Sequence, residues 1–523
     1  MSLKFLSKSY SISAIALLYL VGLFNLVVFN FPVLAYIVNQ SSDFWPVGFK
    51  LLLLISALLF SLTFILFALL AIIHRMILKI SIILIFIANS IALYFMSTYQ
   101  VILDKSMMGN IINTRMSEAG ELFTVSLLFY VIVLGVLPAL ILLKLRINKC
   151  SFLGYVKHSL MHLIVTAIVA YLFSSTWLWI DEHAKKLGGK ILPWSYIANT
   201  ARFIKEQNKK NIEYKELPPI EVISEAKQFV VLVIGETARS HNFSLYGYQR
   251  NTNPRLSMLP IIPLDNATSC STYTTASLEC ILAHEEETSI WGEQFEPLPT
   301  YLSRQGVNVT WITNNWGEPK ITVNSYIEAQ ELRDGCTHNE CEYDGVLLDG
   351  IKTSMAEMVN DKVFVVLHQK GSHGPLYSQR YPQKFTNFQP ECNSVDLTAC
   401  SDEELVNSYD NSILYTDHFL AELINILENI KDYESTLIYI SDHGESLGEG
   451  GVYLHGTPKS MAPEYQYQIP FLVWSSTKKT LNSTIKNYTQ ANVFHTVLGA
   501  LGLSSEVYKD QMDVYQNVKK SID

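Results

Sequence analysis

The sequence predicts a protein of two parts: a membrane domain of five spanning helices, followed by an α/β domain with a mostly parallel sheet. Three observations predict this fold class. Apolar residues crowd the first third of the 523-residue chain. After about residue 225, short apolar runs alternate with segments of helical periodicity. Six of the seven cysteines lie in the second part. We expect domains at residues 1–180 and 225–523, joined by a linker at 181–224.

Five apolar segments of the first domain are long enough to cross a bilayer, since about 20 helical residues cover about 30 Å of hydrocarbon. These segments contain no Asp, Glu, Lys or Arg, and they lie within residues 9–42, 51–74, 80–103, 122–143 and 158–180. The first could be a secretory signal, but its apolar run is too long and no small-residue cleavage site follows it. We therefore expect an uncleaved anchor.

Basic residues beside these spans predict the orientation. One side of a five-span topology carries eight of them: Lys4, Lys8, Arg75, Lys79, Lys144, Arg146, Lys149 and Lys157. The opposite loops carry only Lys50, Lys105 and Arg115. Because Lys and Arg concentrate in cytoplasmic loops, the N-terminus is expected in the cytoplasm and the residues after 180 outside it.

Cysteine usage agrees with that orientation. Cys150 lies alone in a loop expected to be cytoplasmic, whereas the other six lie in the external part: Cys270, Cys280, Cys336, Cys341, Cys392 and Cys400. Disulfides persist in oxidising compartments, and the three close couples favour pairing in sequence order. Six reduced core thiols are the alternative, which the polar residues around these cysteines disfavour.

The linker at 181–224 contains a segment, residues 195–210, whose apolar residues are spaced for one face of a helix. Trp177, Trp179 and Trp194 are typical of a membrane-interface belt. These features predict linker helices at the bilayer surface. An ordinary packed linker helix explains the same pattern.

Five strand-like runs follow in the second domain: 229–234, 307–312, 363–367, 437–440 and 469–474. A long amphipathic helix is predicted at 404–430. Carboxylates and imidazoles come directly after three of the runs, at Glu236, at His368 with His373, and at Asp442 with His443. A parallel sheet brings such strand ends to one edge, where these side chains would suit zinc.

A loop closed by two cysteines, residues 270–280, carries five Ser or Thr hydroxyls. Such a loop could present a nucleophile rigidly, and a metal ion could lower the pKa of its alcohol. A surface turn rich in hydroxyls is the alternative.

Four stretches together resemble one enzyme family. They are VIGETARSHNFSLYGY (233–248), the Cys-bounded loop, HQKGSHGP (368–375) and SDHGESLGEGGVYLHG (441–456). The chain is similar to the phosphoethanolamine transferases that modify lipid A, including the mobile colistin-resistance enzymes, over essentially its whole length. The resemblance implies an alkaline phosphatase/sulfatase-like catalytic domain, one zinc ion or two, and resistance to cationic peptides such as polymyxin.

The resemblance also implies roles for individual residues. The expected zinc ligands are Glu236, Thr274, Asp442 and His443. Thr274 is also the expected nucleophile, and His373 and His455 are expected near the substrate phosphate or a second zinc ion, as acid or base. The donor headgroup is expected to bind Asn110, Thr114, Glu118 and Lys320, of which Lys320 is the weaker match. The Thr loop departs from the family pattern at Ser271, Tyr273, Thr275 and Glu279, and Thr275 is a rival hydroxyl.

The implied reaction moves phosphoethanolamine from phosphatidylethanolamine to a phosphate of lipid A in lipopolysaccharide, through a phosphoethanolamine-threonine intermediate. The implied setting is the inner membrane of a Gram-negative bacterium, with a monomer among membrane lipids. A membrane-anchored zinc phosphatase or sulfatase-like hydrolase, a core-sugar acceptor, and a non-enzymatic binding domain with a structural metal are the alternatives. The net charge of −9 disfavours a general nucleic-acid binder.

Overall fold

The computed structural model of the chain describes residues 10–41, 47–114, 120, 122–209, 214–285, 294–356 and 360–516. Contacts between residues divide the chain into two compact units. The first unit comprises Met1–Gly109 and Phe123–Ile204, and the second comprises Asn110–Leu122 and Lys205–Asp523. The predicted boundaries at 180 and 224 stay predictions.

The first unit is helical. Four of its described helices are long and apolar enough to cross a membrane: Phe49–Ile73, Arg75–Thr98, Val125–Lys144 and Phe152–Leu172. A bent pair of apolar helices, Ala14–Phe29 and Phe31–Gln40, which meet at 51°, passes the same test when its two halves are taken together. The bend follows a π-helical turn at Asn25–Phe29, and Pro32 lies in the first turn of the second half, Phe31–Gln40. A proline removes a helical hydrogen bond and clashes with the preceding turn, so the span breaks there. The structure thus has four helices of spanning length, and the five that were predicted when the bent pair is counted as one span.

The last spanning helix begins and ends earlier than predicted, at Phe152 and Leu172. A 3₁₀ turn, Ser174–Thr176, follows it, and the Thr176 hydroxyl donates to the carbonyl of Phe173. Hydroxyls of this kind compete with the backbone for hydrogen bonds and end helices. Shorter helices then follow at Trp177–Glu182, Ala184–Lys190 and Trp194–Lys209. The last contains the predicted amphipathic segment, whose place at the bilayer surface stays a prediction.

The second unit is built on a sheet of seven strands among the described residues. In spatial order they are Ile262–Pro263, Phe471–Ser475, Glu434–Ser441, Gln228–Gly235, Lys362–His368, Asn308–Thr313 and Ser325–Glu328. The last five run parallel, and Phe471–Ser475 is antiparallel to its two neighbours. All five predicted strands are present. The short strands Ile262–Pro263 and Ser325–Glu328 were not predicted.

Every residue of the central strand Gln228–Gly235 is buried, as expected of a parallel strand covered on both faces. Val230 and Leu232 join a core with the helices Leu298–Arg304 and Asn492–Ala500. The predicted long helix runs from Asp402 to Glu428. Other described helices are Lys105–Asn113, Thr274–Ile281, Ala329–Arg333 and Leu347–Ala356. The predicted fold class is confirmed.

Candidate metal centre and nucleophile

Three adjacent parallel strands end at the same level of the sheet. Gly235 pairs with Ser441, and Ile234 pairs with His368. Glu236 and Asp442 are therefore the first residues past the ends of neighbouring strands. In open α/β sheets this carboxyl edge is where binding sites form.

Glu236, Asp442 and His443 form a buried cluster at that edge, each at most 1% exposed. One ligand atom from each lies within 4.8 Å of the others. The Nε2 atom of His443 is 3.4 Å from a Glu236 oxygen and 3.2 Å from Asp442 Oδ2. His443 Nδ1 donates to the carbonyl of Gly444 at 2.9 Å, so Nε2 keeps its lone pair for the cluster.

The chemistry of this cluster fits a metal cation. Asp442 Oδ1 accepts hydrogen bonds from two backbone amides, but Oδ2 accepts none within the described part of the chain. Burial and the Asp442 charge raise the pKa of Glu236 to about 8, and burial raises the pKa of Asp442 to about 6. Burial lowers the pKa of His443 to about 4. Two crowded carboxyls beside a neutral imidazole are a donor set for zinc.

Neighbouring residues fix the Glu236 carboxylate. Asn315 Nδ2 donates to Oε2 at 2.7 Å, and the Thr237 hydroxyl donates to Oε1 at 2.5 Å. Gly371 lies so close to Glu236 that a Cβ there would stand 2.6 Å from the Glu236 carbonyl oxygen, and its φ is +54°. Only glycine fits this position without displacing Glu236.

Thr274 begins the helix Thr274–Ile281 and faces the cluster. Its Oγ1 is 3.3 Å and 3.5 Å from the Glu236 oxygens and 3.4 Å from His443 Nε2. No hydrogen bond connects the Thr275 hydroxyl to this cluster among the described residues. The geometry therefore favours Thr274 over Thr275 as the nucleophile.

The Thr loop is closed by the predicted Cys270–Cys280 disulfide, and the other predicted pairs, Cys336–Cys341 and Cys392–Cys400, are also present. Cys150 is a free thiol. Two hydrogen bonds connect the Thr loop to the segment around His455: Thr272 Oγ1 donates to the Thr457 carbonyl, and Gly456 N donates to the Thr272 carbonyl. The disulfide and these two hydrogen bonds thus fix the position of the Thr loop.

His373 and His455 lie beside the cluster. Their ring centroids are 5.7 Å apart, and the centroid of His455 is 4.3 Å from that of His443. His455 Nδ1 donates to Glu445 at 2.8 Å, and Tyr377 donates to the other Glu445 oxygen at 2.6 Å. Burial lowers the pKa of His455, but the carboxylates of Glu445, Glu236 and Asp442 together outweigh it and raise that pKa to about 9. Burial and nearby cations lower the pKa of His373.

Comparison with known proteins identifies the family. Residues 59–208 match the family described as "Phosphoethanolamine transferase EptA/EptB", and residues 228–503 match "Sulfatase". The phosphoethanolamine transferase EptA of Helicobacter pylori is 40% identical over 512 residues, covering 94% of this chain and 95% of that protein. The chain belongs to the phosphoethanolamine transferase family. Mcr-1 of Escherichia coli, a phosphatidylethanolamine transferase, is 32% identical to this transferase over 84% of the chain and 86% of Mcr-1.

Solved structures agree on the fold of the transferase. The integral membrane lipooligosaccharide phosphoethanolamine transferase A of Neisseria meningitidis matches with a TM-score of 0.88 at 29% identity, covering 97% of this chain and 99% of that one. The periplasmic domain of EptC from Campylobacter jejuni matches with a TM-score of 0.51 at 36% identity, covering 58% and 97%. Both parts of the predicted architecture, the membrane helices and the periplasmic domain, are thereby confirmed.

The remaining predicted residues of the transferase lie elsewhere. Asn110 is in the helix Lys105–Asn113, and Thr114 follows it, its hydroxyl donating to the Asn110 carbonyl at 2.7 Å. Glu118 lies outside the described residues. Lys320 is exposed in the segment between Asn308–Thr313 and Ser325–Glu328. Their roles in binding the donor headgroup stay predictions.

Sequence reasoning missed two amides that support the site. Asn315 is not among the predicted site residues, yet its amide donates to Glu236 at 2.7 Å. Gln490 is fully buried, accepts from the amide of Cys270 at 3.0 Å, and donates to the carbonyls of Ser441 and Asp442 at 3.1 and 2.5 Å. Gln490 thus connects the Thr loop to the end of the strand Glu434–Ser441, beside Asp442. No local pattern in the sequence marks it, because its partners lie 48 to 220 residues away.

Gln490→Ala should lower the apparent melting temperature by about 5 °C, since it leaves buried backbone groups unpaired at about 1–3 kcal/mol each. It should also lower turnover about tenfold, because the Thr loop loses its anchor. Asn482→Ala is the matched control: this buried amide donates to the carbonyls of Asp510 and Asp513 at 3.1 Å and should change stability alone. Equal losses of turnover in the two variants would refute the anchoring role.

Proposed function

We propose that the protein transfers phosphoethanolamine from phosphatidylethanolamine to a phosphate of lipid A, through a covalent intermediate on Thr274. The observation that carries this proposal is the position of the Thr274 hydroxyl, 3.3–3.5 Å from Glu236 and 3.4 Å from His443. Several relatives are named as phosphoethanolamine transferases, and one pair as acting on Kdo(2)-lipid A. The modification would add an ammonium group to lipid A and confer resistance to polymyxin, a cationic peptide.

Glu236, Thr274, Asp442 and His443 would hold zinc. A bound zinc ion would lower the pKa of the alcohol and neutralise charge on the phosphoryl oxygens. Glu236 stays in place because Asn315 and Thr237 donate to its two oxygens. The ligand atoms of His443, Glu445 and His455 also lie within 4.8 Å of one another. A second ion near His373 and His455 would use His455 as a ligand instead of as the acid described below.

In the first half-reaction, the Thr274 hydroxyl releases its proton to solvent as its oxygen bonds to phosphorus. The bond from phosphorus to the diacylglycerol oxygen breaks, and His455 protonates that oxygen. His455 suits this step because Glu445 fixes its Nδ1, which leaves Nε2 to carry the second proton. His373, whose ring centroid is 5.7 Å from that of His455, would donate a hydrogen bond to the phosphate. Positioning of the reacting groups and stabilisation of charge on the phosphoryl oxygens supply most of the catalysis of phosphoryl transfer.

In the second half-reaction, an oxygen of the lipid A phosphate bonds to phosphorus and the bond to Thr274 breaks. His455 takes the proton of the acceptor phosphate and is thereby reprotonated, and the Thr274 oxygen takes a proton from solvent. The enzyme returns to its starting state. Asn110, Thr114, Glu118 and Lys320 would hold the donor headgroup, with the Glu118 carboxylate complementing its ammonium.

The membrane unit would place this chemistry at the inner membrane of a Gram-negative bacterium. The basic residues beside the spans support an N-terminus in the cytoplasm and a catalytic domain in the periplasm. Three disulfides in that domain are consistent with an oxidising compartment. Both substrates are then lipids of the same membrane system, and a monomer suffices for the reaction.

Intact-mass measurement tests the proposal. After incubation with phosphatidylethanolamine, the purified full-length protein should gain the mass of one phosphoethanolamine group, mapped by peptide analysis to Thr274. Added lipid A should remove the adduct from the protein, and the mass of the lipid A should rise by one phosphoethanolamine group. Release of free phosphoethanolamine without an adduct would indicate the hydrolase instead. An adduct that only a core sugar removes would correct the acceptor and keep the mechanism.

A further inference from the structure

A cavity of about 150 Å³ lies at one end of the membrane unit. Its lining comes from two places in the chain. One is the junction of the helices Phe49–Ile73 and Arg75–Thr98, and the other is the turn that leads into Phe152–Leu172 with the first residues of that helix. Leu78, Ile147 and Tyr155 form a buried apolar wall. Arg75 and Lys149, both exposed, contribute positive charge to the same cavity.

No acidic residue balances these charges. The chain contains no Asp or Glu at 1–42, 44–103 or 122–180, which together include all five spans and the loops at this end. In the described part of the chain, neither Arg75 nor Lys149 makes an ion pair. Eight basic residues are therefore expected at this end without a protein counter-ion. An anion from outside the protein is the natural complement.

The cavity walls are fixed by hydrogen bonds. The His74 ring accepts from the amide of Met76 at 3.1 Å and caps one helix, and Ser151 Oγ accepts from Gly154 N at 3.1 Å and caps the other. Lys79 Nζ donates to the Leu145 carbonyl, at the start of a strand that pairs with Tyr10–Ser13. The cations thus border a shaped cavity, and the N-termini of two long helices add to its positive potential.

We propose that this cavity binds the headgroup of an anionic phospholipid, in the leaflet that faces the cytoplasm in the orientation proposed above. Basic pockets between spanning helices commonly bind such headgroups. The acyl chains would follow the exposed apolar side chains of the adjoining helix, Leu153, Val156, Leu160 and Ile164, which border a groove. A free phosphate would gain nothing from this apolar surface. Phosphatidylethanolamine would bring an ammonium toward two cations with no carboxylate beside them.

Native mass spectrometry of the delipidated full-length protein tests this inference. We expect phosphatidylglycerol to bind at least about tenfold more tightly than phosphatidylcholine with the same acyl chains. The double variant Arg75→Gln/Lys149→Gln should lose about tenfold or more in phosphatidylglycerol affinity, since each cation near an anionic headgroup is worth about fivefold. The control Lys144→Gln/Arg146→Gln removes the same charge from the same end, outside the cavity, and should stay within about twofold of the unmodified protein.

Three outcomes would overturn the proposal. Equal losses in the two double variants would mean a diffuse attraction rather than a site. Binding of phosphatidylcholine as tight as that of phosphatidylglycerol would remove the role of the headgroup charge. Competition by inorganic phosphate at the same affinity would indicate an ion site without a lipid. Should the double variant not fold, Ala71→Phe, which fills the cavity and keeps both cations, must abolish the preference for phosphatidylglycerol.

Discussion

Thr274→Ala should lower turnover by about 10³-fold or more, because the covalent route needs this oxygen. The variant should also show no phosphoethanolamine adduct in its intact mass. Thr274 Oγ1 lies 3.3 Å from Glu236 and 3.4 Å from His443. In the variant only a water molecule could take the place of this oxygen, and the chain would not hold that water in position. Steady-state assays with phosphatidylethanolamine and lipid A give the turnover.

Thr275→Ala is the matched control for that experiment. It removes a hydroxyl from the next residue of the same helix, inside the same disulfide loop, and should change turnover by no more than about threefold. Thr274→Ser, which keeps the oxygen and loses only a methyl group, should retain measurable turnover and the adduct. Near-normal turnover in Thr274→Ala together with a large loss in Thr275→Ala would move the nucleophile to Thr275.

The sheet and its active edge could be predicted because their signals are local. A parallel strand buried on both faces is a continuous apolar run, as in Phe229–Ile234, and the residue after it must lie at the sheet edge. Glu236 and Asp442 are the first residues after the strands Gln228–Gly235 and Glu434–Ser441, and His443 follows Asp442. Their meeting in one cluster therefore follows from the parallel pairing of Gly235 with Ser441.

The supporting contacts could not be predicted in the same way. Asn315 reaches Glu236 across 79 positions of the chain, and Gln490 reaches Cys270 across 220. An amide side chain looks alike in a loop, on a surface and in a buried site, so only the folded arrangement shows which one anchors the centre. The short strands Ile262–Pro263 and Ser325–Glu328 escaped prediction for a related reason. Two to four residues at a sheet edge carry too little periodicity to stand out.

The break in the first apolar segment could be predicted only in part. Pro32 is visible in the sequence, and proline inside a helical pattern predicts a kink. Hydropathy alone nevertheless counts one uninterrupted span, because it averages over the segment. The structure adds the π-helical turn at Asn25–Phe29 and the 51° angle.

Asp442→Asn should abolish zinc retention and lower turnover by about 10³-fold, while the fold survives. The substitution keeps Oδ1, which accepts from the amides of Thr237 and His443 at 2.9 and 2.6 Å. It removes the charge at Oδ2, the atom that accepts no hydrogen bond among the described residues. Zinc content by elemental analysis, after gel filtration, should fall from one or more ions to near zero. Added zinc should restore the chelator-treated unmodified protein and leave the variant inactive.

Melting temperatures measured in chelator separate a catalytic metal from a structural one. An unpaired buried carboxylate costs folding free energy, so metal-free Asp442→Asn should melt at or above the metal-free unmodified protein. Asp417→Asn is the matched control: this carboxylate is equally buried, its pKa is also raised to about 6 by burial, and it accepts from the amides of Arg255 and Leu256. Asp417 lies outside the metal cluster, so the Asp417→Asn variant should keep its zinc. The opposite result would be that Asp442→Asn unfolds the domain and that no condition gives a folded protein without zinc. The metal would then be structural, and the cluster at the sheet edge would not be the catalytic centre.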